Sequence, residues 1–362
     1  MRKLVYISEI TNKRQIVSPS GEVATRIEAV QINHGWWCVS AMNNFQVGDK
    51  AVYFEIDSFI PDEERFGLDP AKTISYVYEA SERTGWRIRT ARMMGQYSQG
   101  YALPLHVLGV DGKVGDDLTA DLGIVKWEPP LPTGSMNVKG YIPGVVVKTD
   151  QPRIENLALD IGNIVDKMYE QTIKLDGRSV SVIKMNDSTD VAGRNWVYKD
   201  CGANTEWNTI HTQKIDTALA NYKGDIVLQG ELIGPGIHGN HEKIKGHQFV
   251  IFEVQDLATR RKLNADERQE IIDWLRSQGA IIFTPPAKKV WIGETENPNA
   301  DINIIVDKND IGGTIAEILK HSDGPSMYNQ ANREGVVYKS YDDPNLSFKA
   351  ISAWYLAKYG DR

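Results

Sequence analysis

At 362 residues the chain is longer than a single hydrophobic core supports, so two domains are expected. A quarter of the residues are charged, no apolar run approaches the roughly 18 residues of a membrane span, and the opening MRKLVYISEIT lacks a signal peptide's apolar core, so the expected location is cytoplasmic, without a membrane partner. The net charge of −7 is unlike the basic footprint of wholesale phosphate binding, so a nucleic-acid partner has to meet a local patch.

The first part reads as short strands, LVYISEIT, IEAVQI, WWCVSA and KAVYFEIDSFI, divided by turn signals such as Val47-Gly48-Asp49-Lys50. Such a succession predicts a small barrel or sandwich. Cys38 in this part and Cys201 in the next lack CxxC spacing, which excludes a disulfide framework and a cysteine zinc site. From Trp86, WRIRTARMMGQYSQGYALPL alternates so that Arg87 and Arg89 share a strand face, with Arg92 close behind. Beside Tyr97 and Tyr101 this stripe suits a phosphate backbone with stacked bases, or it is a solvated barrel face. Carboxylates holding these arginines would remove the first reading.

From Trp127, WEPPLPTGSMNVKGYIPG concentrates Pro and Gly and marks a boundary, giving domains over 1–127 and 128–362. The second part mixes strands over 171–183, 225–233, 248–254 and 334–339 with two helices. One, near 265–278, carries Ile271, Ile272 and Leu275 on one face, with Asn264 or Asp266 as cap and Gly279 as stop. The other, near 314–321, carries Ile315, Ile318 and Leu319. Strands and helices do not alternate regularly, so the class is α+β.

Five segments of this second part carry the residues suited to chemistry. In QTIKLDGRSVSV, Lys174 and Asp176 take one face, Ile173 and Leu175 the other, and Gly177 permits a tight turn or close approach. A lysine with an ordinary pKa of about 10.4 is protonated at neutrality, so a nucleophilic lysine needs desolvation or cationic neighbours. KxDG alone equally describes a surface Lys–Asp pair. In DIVLQGELI, Glu231 sits in an apolar strand and calls for a hydroxyl, cation or metal partner, or is an edge glutamate paired with a lysine. In HQFVIFEV, Phe252 is either core or a ring for a purine face. Glu334 heads the strand REGVVYKS, and Lys349 in LSFKAIS is a strand-end charge or a phosphate ligand. His238, His241 and His247 fit no zinc spacing and read as a solvent loop, while the lack of GxxxxGKS/T excludes a P-loop.

Taken in order, these segments resemble the covalent nucleotidyltransferases, the superfamily of ATP-dependent ligases and mRNA capping enzymes. KLDG at 174–177 is similar to their nucleophile motif, GEL at 230–232 to the third, FVIFEV to its aromatic continuation, EGVV at 334–337 to the fourth and FKAI at 348–351 to the fifth. Arg194 in VAGRNW, 20 residues past Lys174, resembles an RNA-ligase arginine that contacts the nucleotide or the 3′-OH strand. IRTARMMGQYSQGYALPL and VVVKTDQPRIEN resemble nick-sealing RNA ligases with an OB-like domain ahead of the catalytic one.

The resemblance implies an N-terminal OB-like β-barrel followed by an ATP-grasp-like nucleotidyltransferase domain of antiparallel sheets with flanking helices. It implies an ATP-dependent RNA ligase, acting as a monomer with Mg²⁺ or Mn²⁺, that seals 3′-OH/5′-phosphate ends of nicked RNA duplexes or RNA/DNA hybrids through lysyl-AMP and an adenylated 5′ end. Carried over residue by residue, Lys174 is the nucleophile, and Asp176, Glu231 and Glu334 hold the cation through water, with a ribose hydroxyl as the other role for Glu231. A cation beside Lys174 would also favour its neutral form. Phe252 stacks on adenine, Ile173 and Gly177 line the nucleotide site, Arg194 and Lys349 contact phosphates, and Arg87, Arg89 and Arg92 grip the duplex. Two departures stand out. The fifth motif often reads K-x-K, yet Ser347 precedes Phe348 here, leaving Lys339 as candidate replacement; and Arg178 lies four positions after Lys174, not the five usual in DNA ligases. A DNA ligase, a GTP-using capping enzyme and a non-enzymatic OB-type nucleic-acid-binding protein are the alternatives.

Overall fold

A computed structural model of the chain describes residues 3–78, 81–127, 137–293, 310–329 and 332–360. The chain divides into two compact units, the first comprising Met1–Pro132, Glu155–Asp160 and Ala353–Arg362, the second Thr133–Ile154 and Ile161–Ser352. Residues 128–136, most of the first half of the Pro- and Gly-rich stretch, lie outside the described residues.

In the first unit, β-branched and aromatic residues build two antiparallel sheets. One runs in the order Tyr101–Pro104, Lys50–Phe54, Val5–Val17, Val23–Ile32, Trp37–Ala41; the other Val125–Lys126, Ser58–Pro61, Ser81–Arg87, Ile74–Tyr78. The first half of Val5–Val17 pairs with Lys50–Phe54 and the second half with Val23–Ile32, with irregularities at Ile10/Asn12 and Gln15/Val17. One strand thus serves two neighbours, and the bulges supply the curl of a small barrel. KAVYFEIDSFI, expected as one strand, breaks at Asp57, whose φ of 67° sends Ser58–Pro61 into the other sheet. Val5, Ile7, Trp36, Val52, Phe54, Ile60 and Phe66 form the core.

In the second unit, a seven-stranded sheet runs Val138–Tyr141, Trp196–Tyr198, Ser188–Ala192, Arg178–Met185, Ile226–Ile233, Gln248–Asp256, Arg261–Lys262. A five-stranded sheet runs Ile311–Gly312, Ala287–Gly293, Lys167–Lys174, Gly335–Ser340, Ser347–Ile351, antiparallel except for the first pair. Val180, Val182, Leu228, Leu232, Phe249 and Ile251 bury one face of the larger sheet with Trp207, Ile210, Ile215, Leu219, Ile272 and Leu275. These last come from Thr205–Thr212, Ile215–Leu219 and Ala265–Ser277, each buried aliphatic contributing roughly 1.5–3 kcal/mol. Asn264, not Asp266, caps the longest helix: its side chain accepts from the Glu267 N–H while Glu267 accepts from the Asn264 N–H. Gly279, at φ 89°, follows its end. No helix among the described residues is long and apolar enough to cross a membrane.

The expected single strand over 171–183 is a correction. Lys167–Lys174 belongs to the five-stranded sheet and Arg178–Met185 to the seven-stranded one, so Leu175-Asp176-Gly177 crosses between sheets. Gly177 is required by space, not by φ: a Cβ there would lie 2.5 Å from the Leu232 carbonyl oxygen and 2.8 Å from Glu231 Cγ.

Candidate active site

Cross-strand partners share a face, so the registers show what each sheet presents. In the smaller sheet Glu170 lies opposite Lys339, Thr172 opposite Val337, and Val337 opposite Lys349, a face that Lys174 continues. In the larger sheet Ser179 lies opposite Glu231, Ser181 opposite Gln229, and Gln229 opposite Glu253. These two polar faces meet: Lys339 Nζ is 3.1 Å from Glu253 Oε2, and Arg268 pairs with Glu170. The crossover places Lys174 at their common edge.

Lys174 ends its strand with Nζ 2.8 Å from Glu334 Oε1, the lysine side chain 24 % exposed and the glutamate 9 %. Asp176 is buried, with Oδ1 2.8 Å from His238 Nδ1. Glu231 is half-buried and accepts from the Gly177 N–H. Burial pushes its carboxyl up to about 8; Lys174 and the Gly177 bond oppose the rise, Glu334 and Asp176 reinforce it. Glu231 thus feels one lysine and two further carboxyls, a set that a divalent cation would relieve. Among the described residues no three acidic, histidine or cysteine side chains stand close enough to ligate one ion directly. The donor set therefore fits an ion that keeps its waters, as Mg²⁺ does.

Phe252 occupies a bulge: Gln229 pairs with Glu253 and Gly230 with Ile251, so no residue stands opposite the ring, which remains partly exposed. Such a bulge re-aims one side chain. Lys339 lies beneath it, donating to the Phe252 carbonyl at 2.5 Å, with Nζ 5.5 Å from the ring centroid. Being 6 % exposed and held by Glu253, Lys339 cannot stand in for the missing phosphate lysine; burial lowers its pKa, and Glu253 opposes that. Ser347, at the position of the other lysine of a K-x-K pattern, is buried on the face of half-buried Lys349.

Other expectations divide. Ile173 packs with Leu175, Ile233 and Val250 behind the lysine. Arg194 is exposed in the turn after Ser188–Ala192, and its guanidinium bonds Asp150 at 2.7 and 3.2 Å. In the first unit, Arg87 does not act as part of an open stripe: Asp57 Oδ1 holds it at 2.7 and 3.1 Å, and it lies 3.6 Å from the Trp127 ring centroid. The shared face with Arg89 also fails, because the strand ends at Arg87; the carboxylate and indole satisfy a 15 % exposed guanidinium that water would otherwise solvate. Arg89 and Arg92 are exposed, and Arg92 bonds the Gly95 carbonyl and stacks on Tyr97. His238 is an exposed loop histidine, as read, and adds a bond to Asp176, whereas His241 bonds the Asn332 carbonyl and His247 that of Pro235. The signal for His238 lay in its position seven residues after Glu231, on the loop leaving that strand.

Two family models match the sequence, an OB-fold domain over residues 4–105 and RNA ligase over residues 167–351. No curated protein matches. Among solved structures, the chain is similar to Naegleria gruberi RNA ligase. A lysine-to-methionine variant with AMP and Mn is 36 % identical at TM-score 0.81, covering 100 % of both chains. The ligase with PPi gives 36 % and 0.80 over 100 % of both. A lysine-to-alanine variant with ATP and Mn gives 35 % and 0.82 over 99 % of this chain and 100 % of that one. The two-part architecture read from the sequence, an OB fold followed by a nucleotidyltransferase-type domain, agrees with these matches.

Proposed function

Because the chain belongs to the RNA ligase family, we propose that it joins 3′-OH and 5′-phosphate RNA ends at nicks in duplexes, consuming ATP through a lysyl-AMP intermediate. The observation that carries this reading is Lys174, 24 % exposed at the seam of two sheets, in contact with Glu334 and within electrostatic reach of Glu231, on which Asp176 also acts. A structural lysine would need only the Glu334 carboxylate, not a second glutamate nearby whose ionisation Glu334 and Asp176 oppose.

In the first step Lys174 Nζ attacks the α-phosphorus of ATP, the bond to the β-phosphate oxygen breaks and pyrophosphate leaves. Glu334, in hydrogen-bond contact with that nitrogen, is the acceptor placed for its proton. In the second, a 5′-phosphate oxygen of the RNA attacks the AMP phosphorus and the P–N bond breaks, returning the amine. In the third, the 3′-OH attacks the 5′-phosphorus, loses its proton and releases AMP. Each is an in-line displacement governed by positioning and charge. Asp176, Glu231 and Glu334 would hold a divalent cation through its waters, which when bound supplies positive charge against the phosphates. His238 fixes the Asp176 carboxylate. The Phe252 ring supports the adenine face, Lys349 a phosphate, and Arg194 the RNA, while Arg89 and Arg92 of the first unit meet the duplex backbone.

The test is transfer of label from α-phosphate-labelled ATP, with Mg²⁺ or Mn²⁺, to denatured protein. The parent should be labelled and Lys174→Ala should not; a nicked RNA duplex should then be sealed. Labelling of the alanine variant would refute the assigned nucleophile.

A further inference from the structure

The largest exposure of any bulky apolar side chain among the described residues belongs to Tyr141, at 77 %. Its ring stacks on Trp196 with centroids 4.4 Å apart and planes 28° from parallel. The two residues face one another across the pair Val138–Tyr141 and Trp196–Tyr198, at the edge of the seven-stranded sheet. A tyrosine placed there for packing alone would turn inward; this one leaves a whole ring face in water, already held parallel to its support.

Charge surrounds the stack. Lys139 lies two residues before Tyr141 and Arg194 two before Trp196, and they pair with Asp190 and Asp150 respectively. Both pairs are solvent-exposed, the kind whose net contribution is about 0–1 kcal/mol, so a phosphate can take the place of either carboxylate at little cost. Flat aromatic face plus exchangeable cations is the chemistry of single-stranded nucleic-acid binding.

We propose that Tyr141, supported by Trp196, is a seat for an unpaired base of the RNA substrate, with Lys139 and Arg194 on the flanking phosphates. This rests on the ligase reading and extends it to the class of RNA accepted. A fully paired duplex keeps its bases stacked on one another, so the seat fits a strand that is single-stranded beyond the joint. Sheet register sets the distance. Tyr141 is opposite Trp196, the Gly193 N–H bonds the Trp196 carbonyl, Ala192 is opposite Ser181, and Val180 is opposite Gly230, next to Glu231. Four strand spacings of about 4.8 Å separate Tyr141 from the strand of Glu231, so a strand rising roughly 3.4 Å per nucleotide covers that span in about six nucleotides.

The experiment compares the parent, Tyr141→Ala and Tyr141→Phe in self-labelling by ATP and in affinity for three RNAs: a duplex with an eight-nucleotide single-stranded extension, the same duplex with a two-nucleotide extension, and a blunt nicked duplex. Labelling needs no RNA and should be equal in all three proteins. Tyr141→Ala should bind the long extension roughly 5- to 100-fold more weakly, Tyr141→Phe should bind it like the parent, and the other two RNAs should not distinguish the proteins. Equal affinity of Tyr141→Ala and parent for the long extension, or an equal loss on the blunt duplex, would overturn the seat. Absence of labelling in the parent would instead strike the ligase reading, and the affinity comparison would still decide the seat.

Discussion

Replacing Lys339 by methionine keeps the length of the side chain and removes one charge from the floor of the cleft. Lys339 is 6 % exposed and Glu253 1 %, and they meet at 3.1 Å; the only other cation ion-paired with Glu253 among the described residues is Lys262, at 4.0 Å. Breaking a buried pair on one side costs about 3–5 kcal/mol, because the remaining charge is left in a poorly solvated place. With Lys262 retaining part of the attraction, the lower end, about 3 kcal/mol, is expected. For a domain of this size that lowers Tm by roughly 6–12 °C. Removing both charges, in Lys339→Met/Glu253→Gln, leaves no buried carboxylate without its lysine, at the cost of the weaker Lys262 contact, and should recover about 1–2 kcal/mol relative to the single lysine variant. Urea unfolding of the four proteins of the cycle measures this directly. The Phe252 carbonyl also loses its donor in both lysine variants, so half-saturation of lysine labelling should need more ATP even where stability is restored. A single variant within 1 kcal/mol of the parent, or a double variant as unstable as the two singles combined, would refute the argument that the pair is a coupled buried unit.

Glu231 predicts a pH dependence. Its carboxyl is raised from 4.5 to about 8. The protonated form therefore stabilises the fold fully below about pH 4.5, and that contribution is lost as pH rises through 8. The ceiling is about 5 kcal/mol at roughly 1.4 kcal/mol per pH unit, and a half-buried group that water reaches should realise on the order of 2 kcal/mol. Metal-free Glu231→Gln should accordingly gain on the parent between pH 5 and pH 9 in thermal unfolding; a constant difference across that range would count against the shift. Gly177→Ala, whose Cβ would meet the Leu232 carbonyl at 2.5 Å, should lose about 1–3 kcal/mol and displace Glu231, lowering lysine labelling as well as stability. Unchanged labelling in a folded Gly177→Ala protein would show that the crossover yields at no cost.

What the sequence disclosed was local. Lys174, Glu231 and Glu334 stood out because charged residues interrupt apolar strands, and the helix cap at Asn264 is visible as a four-residue pattern. What it hid depends on pairing between distant segments. The run from Gln171 to Ile183 reads as continuous strand, and only the Leu232 carbonyl pressed against Gly177 shows that the chain changes sheets there. The bond from the loop residue His238 to Asp176 is hidden because the two lie 62 positions apart, and the burial of Lys339 because Glu253 is 86 away. The pairing of Arg87 is hidden for the same reason, its carboxylate being 30 residues earlier.

The division of the cleft between two sheets has one more consequence. Lys174, Glu334 and Lys349 ride on the five-stranded sheet or its edge, while Glu231 and Phe252 ride on the seven-stranded one. Interiors transmit small shifts as blocks, because their close packing resists deformation. Repacking the smaller sheet would therefore carry the amine and its acceptor together, and would reach the adenine side through Lys339, which pairs with Glu253 and bonds the Phe252 carbonyl, so a change far from any reacting atom can move both halves of the chemistry.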